Sequence, residues 1–490
     1  MNCCPVNDWL GNTLLLSIDG HFLLNTHEQR CRTRPAAVNS LPDYSDMRRL
    51  FRWHPLFMPQ VLLAPRSPPV RSERCYPPSA ARCANHEQNP VTTHDQHHMQ
   101  RALELARLGL YSTSPNPRVG CVIVKNGQIV GEGWHQKAGE PHAEINALRM
   151  AGEAARGATA YVTLEPCSHY GRTPPCADAL IKAGVARVVG ACSDPNPEVA
   201  GRGYQRIRDA GIEVVESCLS AEAEAINVGF MKRMRTGRPY VRIKLAQSLD
   251  GRTAMASGES QWITGPQARQ DVQKLRARSC AVVTGADSVL IDDPSMTVRP
   301  AESGIEQEAR LWRQPLRVLI DGQQRVTSNA KLFAQPGDIL IATNGMDESE
   351  TSAPETGTIQ RADNLGTLDY WHSEGTEQVN LAALLDELGQ RGCNEVLVES
   401  GARLAGAFIE QGLVDELVLY CAPTLLGSDA RPLITLPLTR MKEQIRWQWQ
   451  DVQPIGNDIR LILTPACQDD LLNNSLNNFP NNPPMTEGAQ

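Results

Sequence analysis

His142-Ala143-Glu144, followed by Pro166-Cys167 and then by Cys176, sets the narrowest condition on this sequence. One imidazole and two thiolates give a zinc ion three protein ligands and leave a fourth position open for water, the arrangement of catalytic zinc sites rather than structural ones. Two thiolates offset the formal charge of the ion, which still lowers the pKa of bound water enough to supply hydroxide near neutral pH. Glu144 stands two residues past the histidine, at the opening of a helical pattern. There its carboxylate can reach such a water without ligating the metal, take a proton from it and return that proton to a leaving group. The loop 168–175 between the cysteines holds two prolines and a glycine, which stiffen the approach. A closed structural site is the alternative, with His169 as the one nearby candidate for a fourth ligand. Cys121, Cys192, Cys218, Cys280, Cys393 and Cys421 lie on or beside apolar segments and read as small core residues.

The surrounding pattern is α/β. Met99, Leu103, Ala106 and Leu110 recur at helical spacing from a start near Met99 until Ser114-Pro115-Asn116-Pro117 stops them. Strands are then expected over 119–124, 129–133, 158–164 and 186–191, with helices over 143–151 and 176–183. A charged helical stretch over 221–235 runs into Thr236-Gly237-Arg238-Pro239, a breaker cluster that marks a domain boundary. Beyond it a second α/β pattern begins. Its expected strands are 240–246, 281–285, 317–320, 338–342, 395–399 and 416–422, and its helices 266–277, 381–391 and 401–411. Residues 345–378 are acidic and aperiodic and read as surface insertions.

At 490 residues the chain is too long for one core. The division expected is an extension over 1–94, one α/β domain over 95–238, a second over 239–467 and a disordered tail over 468–490. The extension has eleven prolines, ten arginines and no lysine, with no periodicity, so it reads as disordered or as an upstream start chosen in error. Net charge is −7, and residues 241–467 carry 21 basic against 30 acidic side chains, which counts against nucleic acid as a partner. No run approaches the ~18 apolar residues of a membrane span, so no membrane partner is expected. The first apolar stretch, broken by Asp19 and His21, makes a poor leader. The cysteines therefore read as reduced thiols or ligands in a cytoplasm.

Zinc nucleobase deaminases combine His-x-Glu with Pro-Cys-x-x-Cys; here eight residues separate the cysteines. The run from Met99 to about Pro465 resembles the bifunctional bacterial riboflavin-biosynthesis enzymes, in which a pyrimidine deaminase is fused to a reductase. The strings that carry the resemblance are Pro115-Asn116-Pro117-Arg118-Val119-Gly120, His142-Ala143-Glu144, the loop from Glu165 to Cys176 with its long cysteine spacing, Ser248-Leu249-Asp250-Gly251-Arg252 and Val414-Asp415-Glu416-Leu417. The resemblance implies a cytidine-deaminase-like αβα domain followed by a dihydrofolate-reductase-like α/β domain. It also implies deamination of a diaminopyrimidinone ribosylamino 5′-phosphate at Zn²⁺ and reduction of the ribose to a ribityl chain with NADPH. A homo-oligomer is expected, of a stoichiometry that the chain does not disclose.

The resemblance likewise assigns positions. Asn116 either holds a pyrimidine edge or caps a turn. Ala246, Trp262, Ser288, Asp292 and the run Gly401, Ala402, Arg403, Leu404, Ala405, Gly406 and Ala407 match cofactor positions; Ser260, Arg276, Met296, Arg299 and Glu399 match substrate positions. Apart from the resemblance, a helix beginning at Gly401 after a buried strand could hold a phosphate on its free N–H groups. Arg276 and Arg299 are either phosphate ligands or solvated surface arginines. Trp262 either covers a flat ring or fills a core.

Overall fold

The computed structural model describes residues 90–170, 174–197, 199–344, 359–361, 365–373 and 377–466. The readings of 1–89 and of 468–490 lie outside the described residues.

Helix α1 (Thr93–Leu108) starts six residues before the position expected from apolar spacing. Its start is fixed by polar atoms: Thr92 Oγ1 accepts from the Asp95 N–H at 3.1 Å, and the Asp95 carboxylate accepts from the Thr92 N–H at 3.0 Å. Such a box satisfies two of the free donors of a helix end. Asp95 also receives Arg187 at 2.6 Å, tying the helix to the sheet. The boundary at 94 therefore falls inside a helix.

The first sheet contains β1 (Gly120–Lys125), β2 (Gln128–Trp134), β3 (Thr159–Val162), β4 (Arg187–Gly190) and β5 (Glu213–Val215) in the order β2-β1-β3-β4-β5. Its first two strands form a hairpin around Asn126-Gly127, both at positive φ, as tight hairpin turns require. Helices α2 (Ala143–Ala151), α3 (Cys176–Ala183), α4 (Arg202–Asp209), α5 (Ser220–Ile226) and α6 (Val228–Thr236) complete this half. A side chain at Gly131 or Gly133 would run into the backbone of α2 at Ala143 and Ala147, so these glycines let α2 lie directly on β2. The helix expected over 221–235 is broken at Asn227, whose side chain bonds both the N–H and the carbonyl of Arg118. Sequence reading found neither α4 nor β5, since α4 is rich in arginine and β5 is only three residues long.

The second half builds one ten-stranded sheet and a small two-stranded one. Its elements are β6 (Tyr240–Gln247), β7 (Arg252–Ala254), α7 (Pro266–Arg278), β8 (Ala281–Gly285), α8 (Ala286–Asp292), α9 (Pro300–Ser303), β9 (Leu316–Ile320), β10 (Ile339–Asn344), β11 (Ile359–Gln360), β12 (Thr367–Ser373), α10 (Leu381–Gln390), β13 (Glu395–Val398), α11 (Ala402–Glu410), β14 (Glu416–Cys421), β15 (Arg431–Pro432), β16 (Trp447–Ile455) and β17 (Asp458–Pro465). The large sheet runs β11-β12-β10-β9-β8-β13-β6-β14-β17-β16. It is parallel from β12 to β14 and antiparallel at both edges. Strand β13 lies at its centre and is buried throughout, as a strand covered on both faces must be. Two elements correct the sequence reading. Strand β12 pairs with β10 inside a stretch read as insertion, and the hairpin β16–β17 was not anticipated because exposed and apolar positions barely alternate along it.

Each half has its own apolar core, one drawn from residues 99–231 and the other from 241–463. The contacts that join them are polar. Arg118 reaches Glu395 at 2.5 Å, Asn394 donates to the Pro115 carbonyl at 2.7 Å, Lys232 meets Asp415 at 2.7 Å and Arg238 meets Asp386 at 2.6 Å.

Candidate active sites

In the first half, three elements end at one point. His142 is the cap of α2, Cys176 is the first residue of α3, and Cys167 lies in the loop after β3. Their ligand atoms all lie within 4.8 Å of one another, and among the described residues no other such group of three forms. The histidine Nδ1 is 3.3 Å from Cys176 Sγ and 3.7 Å from Cys167 Sγ. Ligands at ~2.3 Å (S) and ~2.0 Å (N) from a tetrahedral zinc would stand roughly 3.5 Å apart, so the donor set fits that ion. His169 is not part of the group.

Helix starts favour negative charge, and Cys167 profits from that of α3. The Cys176 N–H donates to Cys167 Sγ at 3.3 Å. A hydrogen bond from Cys176 brings the Cys167 thiol down to about 4, while the same bond and burial raise Cys176. Glu144, in the first turn of α2, is buried; burial first and the charge of Cys167 second push its carboxyl up to about 7. A carboxyl raised into this range can both accept and return a proton near neutrality.

Asn116 lies in the turn before β1. Its amide nitrogen meets His135 Nε2 at 3.1 Å, and His135 Nδ1 meets the Pro141 carbonyl at 3.2 Å. The carbonyl can only accept, so the proton belongs on Nδ1; Nε2 then accepts from Asn116, whose carbonyl oxygen stays available. His135 is buried, which lowers its pKa and keeps it neutral, and its ring stands edge-on to His142 at 5.2 Å. Sequence reasoning missed His135 because a single histidine after a strand belongs to no spacing pattern. It also gave no separate role to Glu165. That carboxylate accepts from the N–H groups of Asp194, Gly201 and Gly203 and so holds the 194–203 segment around Pro166-Cys167.

In the second half, the structure brings six of the assigned positions together in three pairs. Arg276 on α7 grips Glu399, which follows β13, at 2.5 and 3.0 Å, and donates its third nitrogen to the Thr297 carbonyl. Lys244 on β6 joins Glu399 at 3.2 Å. Burial would raise the Glu399 carboxyl, but Arg276 and then Lys244 bring it down to about 2. Arg276 is thus neither a solvated arginine nor a free cation; its charge is committed to Glu399. Arg299, capping α9, keeps an exposed side chain beside Glu302 at 2.6 Å. Ser260 donates to Asp292 at 2.9 Å, and Ser288 Oγ accepts from the Gly401 N–H at 3.1 Å at the start of α11.

Other positions separate. Trp262 is 68% exposed beneath the Arg269 guanidinium, which removes the core-filling reading. Met296 is buried at positive φ, and Ala246 is half-buried on β6. Arg403 points to solvent, and Leu404 packs toward Gly285. Ala402 accepts the Thr435 N–H on its carbonyl. Ala405 is fully buried in the core, Ala407 packs against that core, and a side chain at Gly406 would strike the Thr435 backbone. These last three also take part in the packing of α11, and only the first turn of a helix presents free N–H groups.

Comparison with known proteins matches each half separately. Residues 92–192 match the cytidine and deoxycytidylate deaminase zinc-binding region, and 239–461 match the RibD C-terminal domain. The riboflavin biosynthesis protein RibD of Escherichia coli K12 is 54% identical over 379 residues, covering 76% of this chain and all of that protein. Its Haemophilus influenzae counterpart is 51% identical, covering 75% of this chain and 96% of the relative. Among solved structures, Acinetobacter baumannii RibD superposes with a TM-score of 0.69 at 50% identity, covering 76% of this chain and 99% of that one. A Thermotoga maritima diaminohydroxyphosphoribosylaminopyrimidine deaminase/5-amino-6-(5-phosphoribosylamino)uracil reductase gives 0.66 at 30% identity over the same shares.

Proposed function

The chain belongs to the RibD family of riboflavin biosynthesis, and we propose how its own residues divide the two reactions of that family. It is a bifunctional enzyme, a zinc-dependent deaminase joined to an NADPH-dependent reductase, acting on a small pyrimidine. The observation that carries our assignment is the convergence of His142, Cys167 and Cys176 beside a buried Glu144.

In the first reaction His142, Cys167 and Cys176 would hold Zn²⁺, which when bound supplies an acidified water. Glu144 would take a proton from water as the water oxygen bonds to the ring carbon. It returns the proton to the exocyclic nitrogen as the carbon–nitrogen bond breaks and ammonia departs. Asn116 offers its carbonyl oxygen to a pyrimidine N–H, with His135 fixing the amide.

In the second reaction NADPH supplies the hydride, and the protein orients donor and acceptor. The segment from Gly401 to Ala407, with Ala246, Trp262, Ser288 and Asp292, would hold the cofactor, the free N–H groups at the start of α11 taking a phosphate. Glu399, fixed by Arg276, faces the sugar together with Ser260 and Met296, and Arg299 takes the phosphate. Domains over 90–238 and 239–466, a homo-oligomeric state and a cytoplasmic location complete the proposal; no described helix is long and apolar enough to cross a membrane.

Glu144→Gln tests the deaminase assignment. The amide can neither take nor return the proton, so deamination should fall by ~10²-fold or more. Zinc content and reduction of the deaminated substrate should stay as in the wild type. Near-normal deamination would hand the proton transfer to another group.

A further inference from the structure

The turn that carries Asn116 belongs to the first half in sequence, yet the second half holds it. Asn394, just before β13, donates its amide to the Pro115 carbonyl at 2.7 Å and accepts from Arg233 Nε at 2.6 Å. Glu395, the first residue of β13, takes the Arg118 guanidinium at 2.5 Å. Asn394 and Glu395, consecutive residues at the start of one central strand, thus grip positions on either side of Asn116. The segment after His135 is held in the same way. The loop that follows His135 offers Gln136 and Glu140, and both receive the guanidinium of Arg310 from the second half, Glu140 at 3.0 Å. Asn116 and His135 are the residues that bond to each other beside His142.

We propose that Asn394, Glu395 and Arg310 are positioning residues for deamination, holding the Asn116–His135 pair against the metal ligands, so that pyrimidine binding in the deaminase is built partly by the reductase half. The inference rests on the reading of Asn116 as a pyrimidine contact. Small displacements of a positioning group are costly, and the pocket's own half supplies no equivalent anchor to the Pro115 carbonyl among the described residues.

The test uses the full zinc-loaded chain. Asn394→Asp keeps an acceptor for Arg233 but replaces the donor to Pro115 with an oxygen. Arg310→Ala truncates a side chain that is 45% exposed, which spares the fold. Each should raise the deamination KM roughly five- to tenfold, the effect of one lost hydrogen bond. The deamination kcat, zinc content and both constants for reduction of the deaminated substrate should hold. Asn116→Ala is measured alongside, alone and combined with Asn394→Asp; since both act through one contact, the second change should add almost nothing to the first. If Asn116→Ala leaves the deamination KM unchanged, the pyrimidine reading of Asn116 fails and takes the inference with it. If Asn116→Ala raises KM while Asn394→Asp and Arg310→Ala do not, the inference alone is overturned. A loss shared equally by both reactions, or accompanied by loss of zinc, also overturns it.

Discussion

Glu395→Gln should be among the most destabilising isosteric changes in the molecule. The carboxylate is fully buried and faces three guanidinium groups: Arg118 at 2.5 Å, Arg278 at 2.9 Å and Arg242 at 3.1 Å. An amide keeps the shape and removes the charge. Arg242 retains Glu416, but Arg118, 5% exposed, and Arg278 are left facing a neutral group. Breaking a buried pair from one side costs about 3–5 kcal/mol. At the roughly 2–4 °C per kcal/mol of a domain of 150–250 residues, the thermal midpoint should fall by about 6–20 °C. The acid limb gives an independent check. Burial would raise the Glu395 carboxyl, but Arg118, Arg278 and Arg242 hold it well below the ordinary carboxylate range. Its folded value is therefore depressed, and its contribution is fully present above the unfolded pKa of about 4.3 and lost as pH falls below it. Melting curves of wild type and Glu395→Gln should be furthest apart at neutral pH and converge as the medium is acidified below about pH 4. A midpoint change under 2 °C at pH 7 would refute the argument, and a gap that stays constant into acid would refute its electrostatic origin.

Metal analysis of a Cys167→Ser, Cys176→Ser double variant should find no zinc where the wild type holds about one equivalent per chain; retained zinc would place the ion elsewhere. Arg299→Ala should raise the reductase KM for the phosphorylated substrate about tenfold or more, while NADPH affinity holds. Gly401→Val should do the reverse, since a branched side chain crowds the backbone approach at the start of α11; exchanged effects would mean the two pockets are assigned the wrong way round. A chain beginning at Pro90, which keeps the Thr92–Asp95 box, should retain both activities, whereas Thr92→Ala in that chain should cost about 1 kcal/mol in denaturant unfolding. Loss of zinc on truncation would show that residues 1–89 support the core.

The clustering of His142, Cys167 and Cys176 was legible because it is written in short strings, and helices α2 and α3 occupy the residues that periodicity assigned to them. Groups whose meaning depends on a distant partner were not. Arg276 reads as a phosphate cation until Glu399, 123 residues away, is seen to claim it. Nothing local marks His135 as the partner of Asn116, or Asn394 as the anchor of Pro115. Strands that escaped notice, among them β5, β12, β16 and β17, lie at or near sheet edges, where one face meets water and the apolar signal thins.

Arg118 and Glu395 lie 277 residues apart along the chain. A ribosome adding ~5–20 residues per second needs roughly 14–55 s to cover that distance. During that interval the emerging first half can already bury its own core and gather His142, Cys167 and Cys176, but its Asn116 turn waits for Asn394 and Glu395 to be translated. The half that is made first is thus completed only once most of the second has been translated. A message truncated before codon 394 would yield a domain with its metal ligands in place and its substrate turn unfastened.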